Sequence, residues 1–326
     1  MILAGDIGGT KTVLALLSKE ADGTRTVQYE QAFASLAYPE FEDILKEFLP
    51  IDVNISSACF GVAGPVVNQR CQTTNLPWLL DAELLKAQLG TEKVKLLNDL
   101  EAMALGMLFL PEDDLLELNP NAQDLVGNIA VIAAGTGLGE AILYWDGNQH
   151  HPIATEGGHC DFAPQTEQQD ALLAYLRNKY PEHVSCERLV SGMGFSNIYD
   201  FLCEHDFATA CLAVPELNDI DNGIDRNAVI SRLGVSGEDA LCAEAVRLFV
   251  ELYGAEAGNL ALKALAIGGV FIGGGIGPKI LPMMQDGKFI SAFKAKGRFA
   301  GLLDKVSVKL SLNARTPLIG AINYFA

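Results

Sequence analysis

The sequence predicts an α/β protein in two related halves. Strand-length apolar runs alternate with segments of helical period along the whole chain. A plan of strand, glycine and threonine turn, and second strand occurs twice, at 2–17 and at 129–144. The length, 326 residues, is enough for about two domains at roughly 150 residues each.

Taken in order, Ile2 to Asp6 reads as a strand, and Gly8-Gly9 excludes a helix through that point. Thr12 to Leu17 reads as the returning strand, and Thr26 to Ala34 completes a meander. Phe41, Ile44, Leu45 and Phe48 set a helical stripe within Pro39 to Leu49. Ser57 to Ala63 is a strand stopped by Gly64-Pro65, Asp81 to Leu89 a helix, and Val94 to Leu97 a short strand. That strand feeds Asn98-Asp99 and a helical run from Leu100 to Leu110. The acidic stretch Pro111 to Val126, with Asn-Pro-Asn at 119–121, reads as a crossover between domains and places the boundary near residue 110.

In the second half, Ile129 to Ala134, Gly135-Thr136-Gly137 and Leu138 to Tyr144 repeat the opening plan. A mostly helical stretch follows, and its longest amphipathic pattern runs from Glu238 to Leu265 through Leu241, Ala245, Leu248 and Leu252. Gly269 to Ile272 is a strand entering Gly273-Gly274-Gly275, Val306 to Leu310 another strand, and Pro317 to Phe325 the final helix.

Composition narrows the function. With 49% apolar and 20% charged residues the chain is globular. With 41 Asp and Glu against 23 Lys and Arg the formal net charge is −18. A field of that sign repels nucleic-acid phosphates and anionic lipid heads, so neither is an expected partner. The seven cysteines (59, 71, 160, 186, 203, 211 and 242) contain no C-x-x-C pair, against both a disulfide framework and a zinc ribbon. Reduced thiols and a cytoplasmic location are expected. No signal-peptide pattern opens the chain, and no window of ~18 uninterrupted apolar residues occurs.

Three glycine segments and three polar ones carry the chemistry. Asp6-Ile7-Gly8-Gly9-Thr10-Lys11-Thr12 joins a carboxylate at a strand end to a glycine turn and two hydroxyls, the parts that a phosphate and its magnesium ion need. Thr10 before Lys11 and the strand that follows exclude P-loop geometry; the ordinary alternative is a plain hairpin turn. Gly135-Thr136-Gly137-Leu138-Gly139 offers a second such loop and misses the dinucleotide spacing because residue 140 is Glu. Two matching loops are what a polyphosphate clamp requires. Gly273-Gly274-Gly275 lets backbone approach a flat ligand, or is a tight turn into a helix. Asn98-Asp99 sits where a carboxylate can act as general base and where a helix N-cap ordinarily stands. Glu156-Gly157-Gly158-His159 and Glu187 supply carboxylates and an imidazole that grip a polyhydroxylated ligand. They are metal-ligand types too, but no second histidine lies at i+4.

Together with Phe60-Gly61-Val62-Ala63-Gly64-Pro65, Thr74-Asn75 before Trp78, and Glu187-Arg188-Leu189-Val190-Ser191-Gly192, these segments occur in the order found in bacterial ATP-dependent glucokinases. The chain resembles that family of the actin-like ATPase/hexokinase superfamily over essentially its whole length. The resemblance implies a two-domain, ribonuclease H-like fold, with residues 1–110 completed by the C-terminal helix 315–326 as a small domain and 111–314 as a large one, and an interdomain active-site cleft that closes on the sugar. It implies ATP and Mg²⁺ as cofactors, glucose as the phosphoryl acceptor in the first step of glycolysis, and a homodimer. Asp6, Gly8, Gly9, Thr10, Lys11, Thr12, Gly135, Thr136, Gly137, Gly273, Gly274 and Gly275 would serve the nucleotide, Asp6 also the metal. Asn98, Asp99, Glu156, His159 and Glu187 would hold the sugar, with Asp99 as base. On this assignment the glycine turns serve the nucleotide alone. No C-x-C-G-C zinc cluster follows His159, which separates the chain from the related repressor/ORF/kinase sugar kinases. A kinase for mannose or fructose, or an inactive sugar sensor on the same fold, are the rival readings.

Overall fold

The computed structural model describes residues 1–20, 23–74, 76–216 and 224–325. The chain divides into two compact units, one of Met1–Asp114, Pro152–Ala154 and Asn313–Ala326, the other of Leu115–His151 and Thr155–Leu312.

The first unit is built on β1 (Ile2–Ile7), β2 (Lys11–Lys19), β3 (Arg25–Ala34), β4 (Ser57–Val62), the short pair β5 (Arg70–Gln72) and β6 (Leu79–Asp81), and β7 (Val94–Asn98). Its main sheet has the order β3-β2-β1-β4-β7, antiparallel from β3 to β1 and parallel from β1 to β7. β4 is buried along its whole length, as expected for a parallel strand covered on both faces, and β3 is an exposed edge. Successive residues alternate between two cores. Leu3, Leu14, Phe60 and Leu96 meet Phe41 of α1 (Phe41–Phe48) and Leu85 of α2 (Ala82–Leu89). Ile2, Ala4, Cys59 and Leu97 meet Ala102 of α3 (Asp99–Met107) and Leu318 of the C-terminal helix Thr316–Asn323. These two helices touch through glycines: a Cβ on Gly106 would lie 1.9 Å from the Thr316 carbonyl oxygen, and one on Gly320 1.8 Å from that of Ala102.

The second sheet, which belongs to the second unit except for Pro152–Ala154 of β11, comprises β8 (Leu115–Glu117), β9 (Ile129–Ala134), β10 (Leu138–Trp145), β11 (His150–Ala154), β12 (Gly269–Gly273) and β13 (Val308–Ser311), ordered β11-β10-β9-β12-β13-β8. β9 is antiparallel to β10 and parallel to β12, and β12 is parallel to β13. Five strands of each unit therefore follow one plan, β3-β2-β1-β4-β7 and β11-β10-β9-β12-β13, which is the structural content of the repeated sequence pattern. The helices α4 (Glu167–Lys179), α5 (Gly192–Glu204), α6 (Arg226–Ser236) and α7 (Ala240–Ala264) follow β11. The 25-residue α7 buries Leu241, Ala245, Leu248 and Leu252, the stripe legible in the sequence.

Four strands lie outside the sequence expectation: the short pair β5 and β6, and the edges β8 and β11. The crossover 111–126 contains β8, an edge strand antiparallel to β13, and β11 extends the sheet beyond β10. Both are short edges: β8 takes its strand character from β13, far along the chain, and β11 from β10, the strand just before it.

Candidate active site

In an open parallel sheet, ligands bind beyond the carboxyl ends of the strands, and the sequence-derived site residues stand there. In the first unit β1 ends at Ile7 before Gly8, β4 at Val62 before Gly64, and β7 at Asn98 before Asp99. In the second, β9 ends at Ala134 before Gly135 and β12 at Gly273 before Gly274.

The first glycine turn is closed by the Gly8 N–H donating to the Lys11 carbonyl at 3.0 Å. Ser35 braces it, its hydroxyl donating to the Gly8 carbonyl at 2.7 Å and its N–H to the Thr10 carbonyl at 3.0 Å. Thr10 and Lys11 are exposed. Thr12 is not: its side chain is buried and its hydroxyl is shared with Ser35 Oγ at 2.9 Å. The expectation that Thr12 contacts phosphate is corrected, since its hydroxyl holds the brace behind the turn. Asp6, half-buried at the end of β1, has its carboxyl pushed up to about 6 by burial and then by the nearby Asp99 charge, with Lys11 opposing.

Asn98 caps α3 as such residues ordinarily do. Its Oδ1 accepts from the Leu100 N–H at 2.9 Å, and Glu101 accepts from the Asn98 N–H at 2.9 Å to complete a capping box. Its amide Nδ2 donates to the Gly64 carbonyl at 3.0 Å, so the cap also joins the ends of β4 and β7. One Asp99 oxygen accepts from the Leu100 N–H at 2.9 Å, which fixes the carboxylate on the N-terminus of α3. Thr74 lies on the loop after β5, whose hydroxyl donates to the Ala63 carbonyl at 3.5 Å, and Trp78 is a buried anchor; Asn75 lies outside the described residues.

In the second unit the Gly135 N–H donates to the Gly137 carbonyl at 2.9 Å, and the Gly192 N–H at the start of α5 donates to the Gly135 carbonyl at 2.8 Å. Gly135, Thr136 and Gly275 line a cavity of about 340 Å³ with Phe195, Asn227 and Lys279. Gly275 leads into the short helix α8 (Ile276–Lys279). Gly274 has φ +82° and a Cβ there would lie 2.2 Å from the Ala134 carbonyl oxygen, so only glycine fits. Gly273 is buried in β12, and of the three glycines only Gly275 lines the cavity. Sequence reasoning missed Asn227, whose Oδ1 accepts from Ser196 Oγ at 2.6 Å. The helix start at Asp225 was a legible signal, but nothing in the sequence joins it to a turn some ninety positions earlier.

Glu156 and His159 are exposed on a tight turn. The segments 156–160 and 186–188 are brought together by the Cys186 N–H donating to the Cys160 carbonyl at 2.9 Å. Glu187 Oε2 accepts from the Leu138 N–H at 3.0 Å, and a Cβ on Gly137 would lie 2.5 Å from that oxygen. At Gly137 the second glycine turn therefore leans on a residue that the sequence analysis assigns to the sugar. Among the described residues no group of three or more His, Cys, Asp or Glu side chains could hold a metal ion.

Two mixed sheets of one plan, each with a glycine turn after its central strand, and carboxylates at the strand ends of the first unit are features of the actin-like ATPase fold of sugar kinases, which the similarity to solved structures bears out. The family model described as Glucokinase matches residues 3–326. A glucokinase from Nostoc sp. is 41% identical, with 98% of this chain and 97% of that protein covered. One from Synechocystis sp. is 39% identical, with 98% and 96% covered. The crystal structure of a glucokinase from an Antarctic psychrotroph superposes with a TM-score of 0.85 at 31% identity, covering 98% of this chain and 97% of that one. The chain belongs to the glucokinase family, and it phosphorylates glucose with ATP.

Proposed function

We propose that Asp99 is the general base that takes the proton of the glucose 6-hydroxyl as the γ-phosphoryl group of ATP is transferred to it. The observation that supports this most directly is the fixed Asp99 carboxylate at the junction of β7 and α3, next to a second carboxylate, Asp6. Phosphoryl transfer asks little covalent chemistry of a protein; it asks for positioning and charge neutralisation. Glu156, His159 and Glu187 hold sugar hydroxyls, and Asn98 keeps Asp99 in register through the cap. The turns at 8–11 and 135–137 are assigned to the phosphates and the cavity beside Gly275 to the adenosine.

Mg²⁺ fits the residues present. Asp6 is a carboxylate whose ionised form burial and a like charge disfavour, a cost that a cation would relieve, and Mg²⁺ is bound through one or two carboxylates together with substrate phosphates, with no need of an all-protein cage. When bound, the ion neutralises phosphate charge. The seven free cysteines fit a reducing cytoplasm, and among the described residues no helix is long and apolar enough to cross a membrane. We propose a homodimer on the family resemblance, which sedimentation will test.

The deciding experiment is ADP release measured on a panel of glucose, mannose and fructose. Glucose is expected to have the highest kcat/KM. ADP release no faster with any sugar than without would leave the sensor reading standing, and a clear preference for mannose or fructose would reassign the acceptor.

The cavity gives a second test. At Gly135 and at Gly275 a Cβ meets nothing within 4 Å among the described residues, and neither has a left-handed φ. Gly135→Val and Gly275→Val are therefore expected to fold, to raise the KM for ATP about tenfold or more, the worth of ~1.4 kcal/mol of lost contact, and to bind glucose as before. Calorimetric titrations with each ligand check this, and unchanged ATP affinity in both variants removes the cavity as the nucleotide site. Gly137→Val, pressed against Glu187, is expected to weaken both ligands.

A further inference from the structure

The glutamate that breaks the dinucleotide spacing of the second glycine loop is itself buried under the sugar segment. Glu140 lies on β10 and is 1% exposed. Its carbonyl accepts from Thr155 Oγ1 at 2.8 Å, and Thr155 Oγ1 accepts from the Gly157 N–H at 3.1 Å. Its carboxyl fills the space beneath Gly157: a Cβ there would lie 2.0 Å from Glu140 Oε2. Oε1 is buried with no hydrogen-bond partner among the described residues.

A second buried carboxyl stands under the neighbouring segment. Glu256 of α7 is 5% exposed. Its Oε2 accepts from the Cys186 thiol at 3.3 Å and from Asn259 Nδ2 at 2.9 Å, and Lys263 Nζ lies 3.4 Å from Oε1. Each turn that carries sugar residues is thus seated on one carboxyl, Glu156–His159 on Glu140 and Cys186–Arg188 on Glu256. Only Glu256 has a cation and two donors.

We propose that Glu140 is a positioning residue for sugar binding: neutral, it supports the Glu156–His159 turn, and its ionisation unseats that turn and weakens the sugar. The proposal rests on the assignment of Glu156 and His159 to the sugar. An ionised carboxylate without a donor is costly in this surrounding, and relief requires water or a displaced turn. The groups facing Glu140 are Glu256, Lys263 and Tyr253 from α7 and Cys186 from the adjoining turn, with Lys296 acting on Glu256 and Lys263. Burial raises Tyr253 and Cys186 far enough that both stay neutral. Burial first, then the Glu256 charge, push the Glu140 carboxyl up to about 7, with Lys263 opposing.

The test is glucose affinity and KM against pH, from pH 6 to 8.5, in wild type, Glu140→Gln and Glu256→Gln. In wild type the KM for glucose is expected to rise up to ~10-fold with pH, the change produced by a one-unit difference in pKa between free and sugar-bound states. Across that range kcat and the KM for ATP should move much less. Glu140→Gln, permanently neutral, should have a flat profile at the low-pH value. Glu256→Gln removes a like charge, so its rise should come at lower pH. A Glu140→Gln profile that rises as in wild type overturns the proposal. So does a flat wild-type profile in an enzyme that phosphorylates glucose normally, whereas an absence of phosphorylation at every pH would instead count against the kinase reading. Should Glu140→Gln fail to fold, the direction of the Glu256→Gln shift decides.

Discussion

Asp99→Asn is expected to lower kcat by at least ~10²-fold, the lower range of general acid–base contributions, while glucose still binds. The substitution is mild for the fold. The Leu100 N–H that Asp99 Oδ1 accepts at 2.9 Å can be accepted equally by an asparagine oxygen, and the Asn98 cap and its Glu101 partner are untouched. What asparagine cannot do is take a proton. Sugar binding should fall only modestly, because with its oxygen on the Leu100 N–H the amide turns its NH2 to the hydroxyl, which can accept from it in place of donating. Stopped-flow or steady-state kinetics beside glucose calorimetry check the split. A kcat near wild type with only KM raised would show that Asp99 binds the sugar and another group moves the proton.

The fold was legible wherever a local rule left one choice. Gly8-Gly9 and Gly135-Thr136-Gly137 break any helix, and the flanking runs are β-branched, so both hairpins and their repetition could be read directly. β8 and β11 could not be read, because Leu115–Glu117 lies among acidic residues and His150–Ala154 contains Pro152; pairing with β13 and β10 makes them strands. At the candidate site the residue types were legible and their partners were not. Thr12 has the chemistry of a phosphate ligand, and only the brace with Ser35 shows it turned inward. Glu187 and Leu138 are 49 positions apart, and nothing in either segment announces that one caps the other. Glu140 showed in the sequence as a departure from a spacing, and its burial beneath Gly157 is a tertiary fact.

Asp6→Asn should move activity and stability in opposite directions. Asp6 titrates near 6 in the folded protein, raised from 3.8 by burial and by Asp99. Between those values the folded chain binds more protons at this site than the unfolded chain does. Its contribution to stability is therefore complete below about pH 4 and lost as pH rises through about 6. At pH 7.5 the ionised Asp6 is a cost to the fold, borne beside a like charge. Asparagine removes that cost, so without divalent cation the variant is expected to melt above wild type at pH 7.5, with the difference shrinking toward pH 4. A cost retained at one carboxylate is the mark of a group kept for binding charge. Turnover of the variant should accordingly fall by roughly 10²–10³-fold, the scale seen when one charge-stabilising group is lost. Mg²⁺ with ATP should raise the melting temperature of wild type more than that of the variant. Thermal melts at pH 4.5 and 7.5, with and without Mg²⁺ and ATP, read both effects. A variant that melts below wild type at pH 7.5 and keeps full turnover would place Asp6 in the framework of β1, and the metal and phosphates would need another anchor.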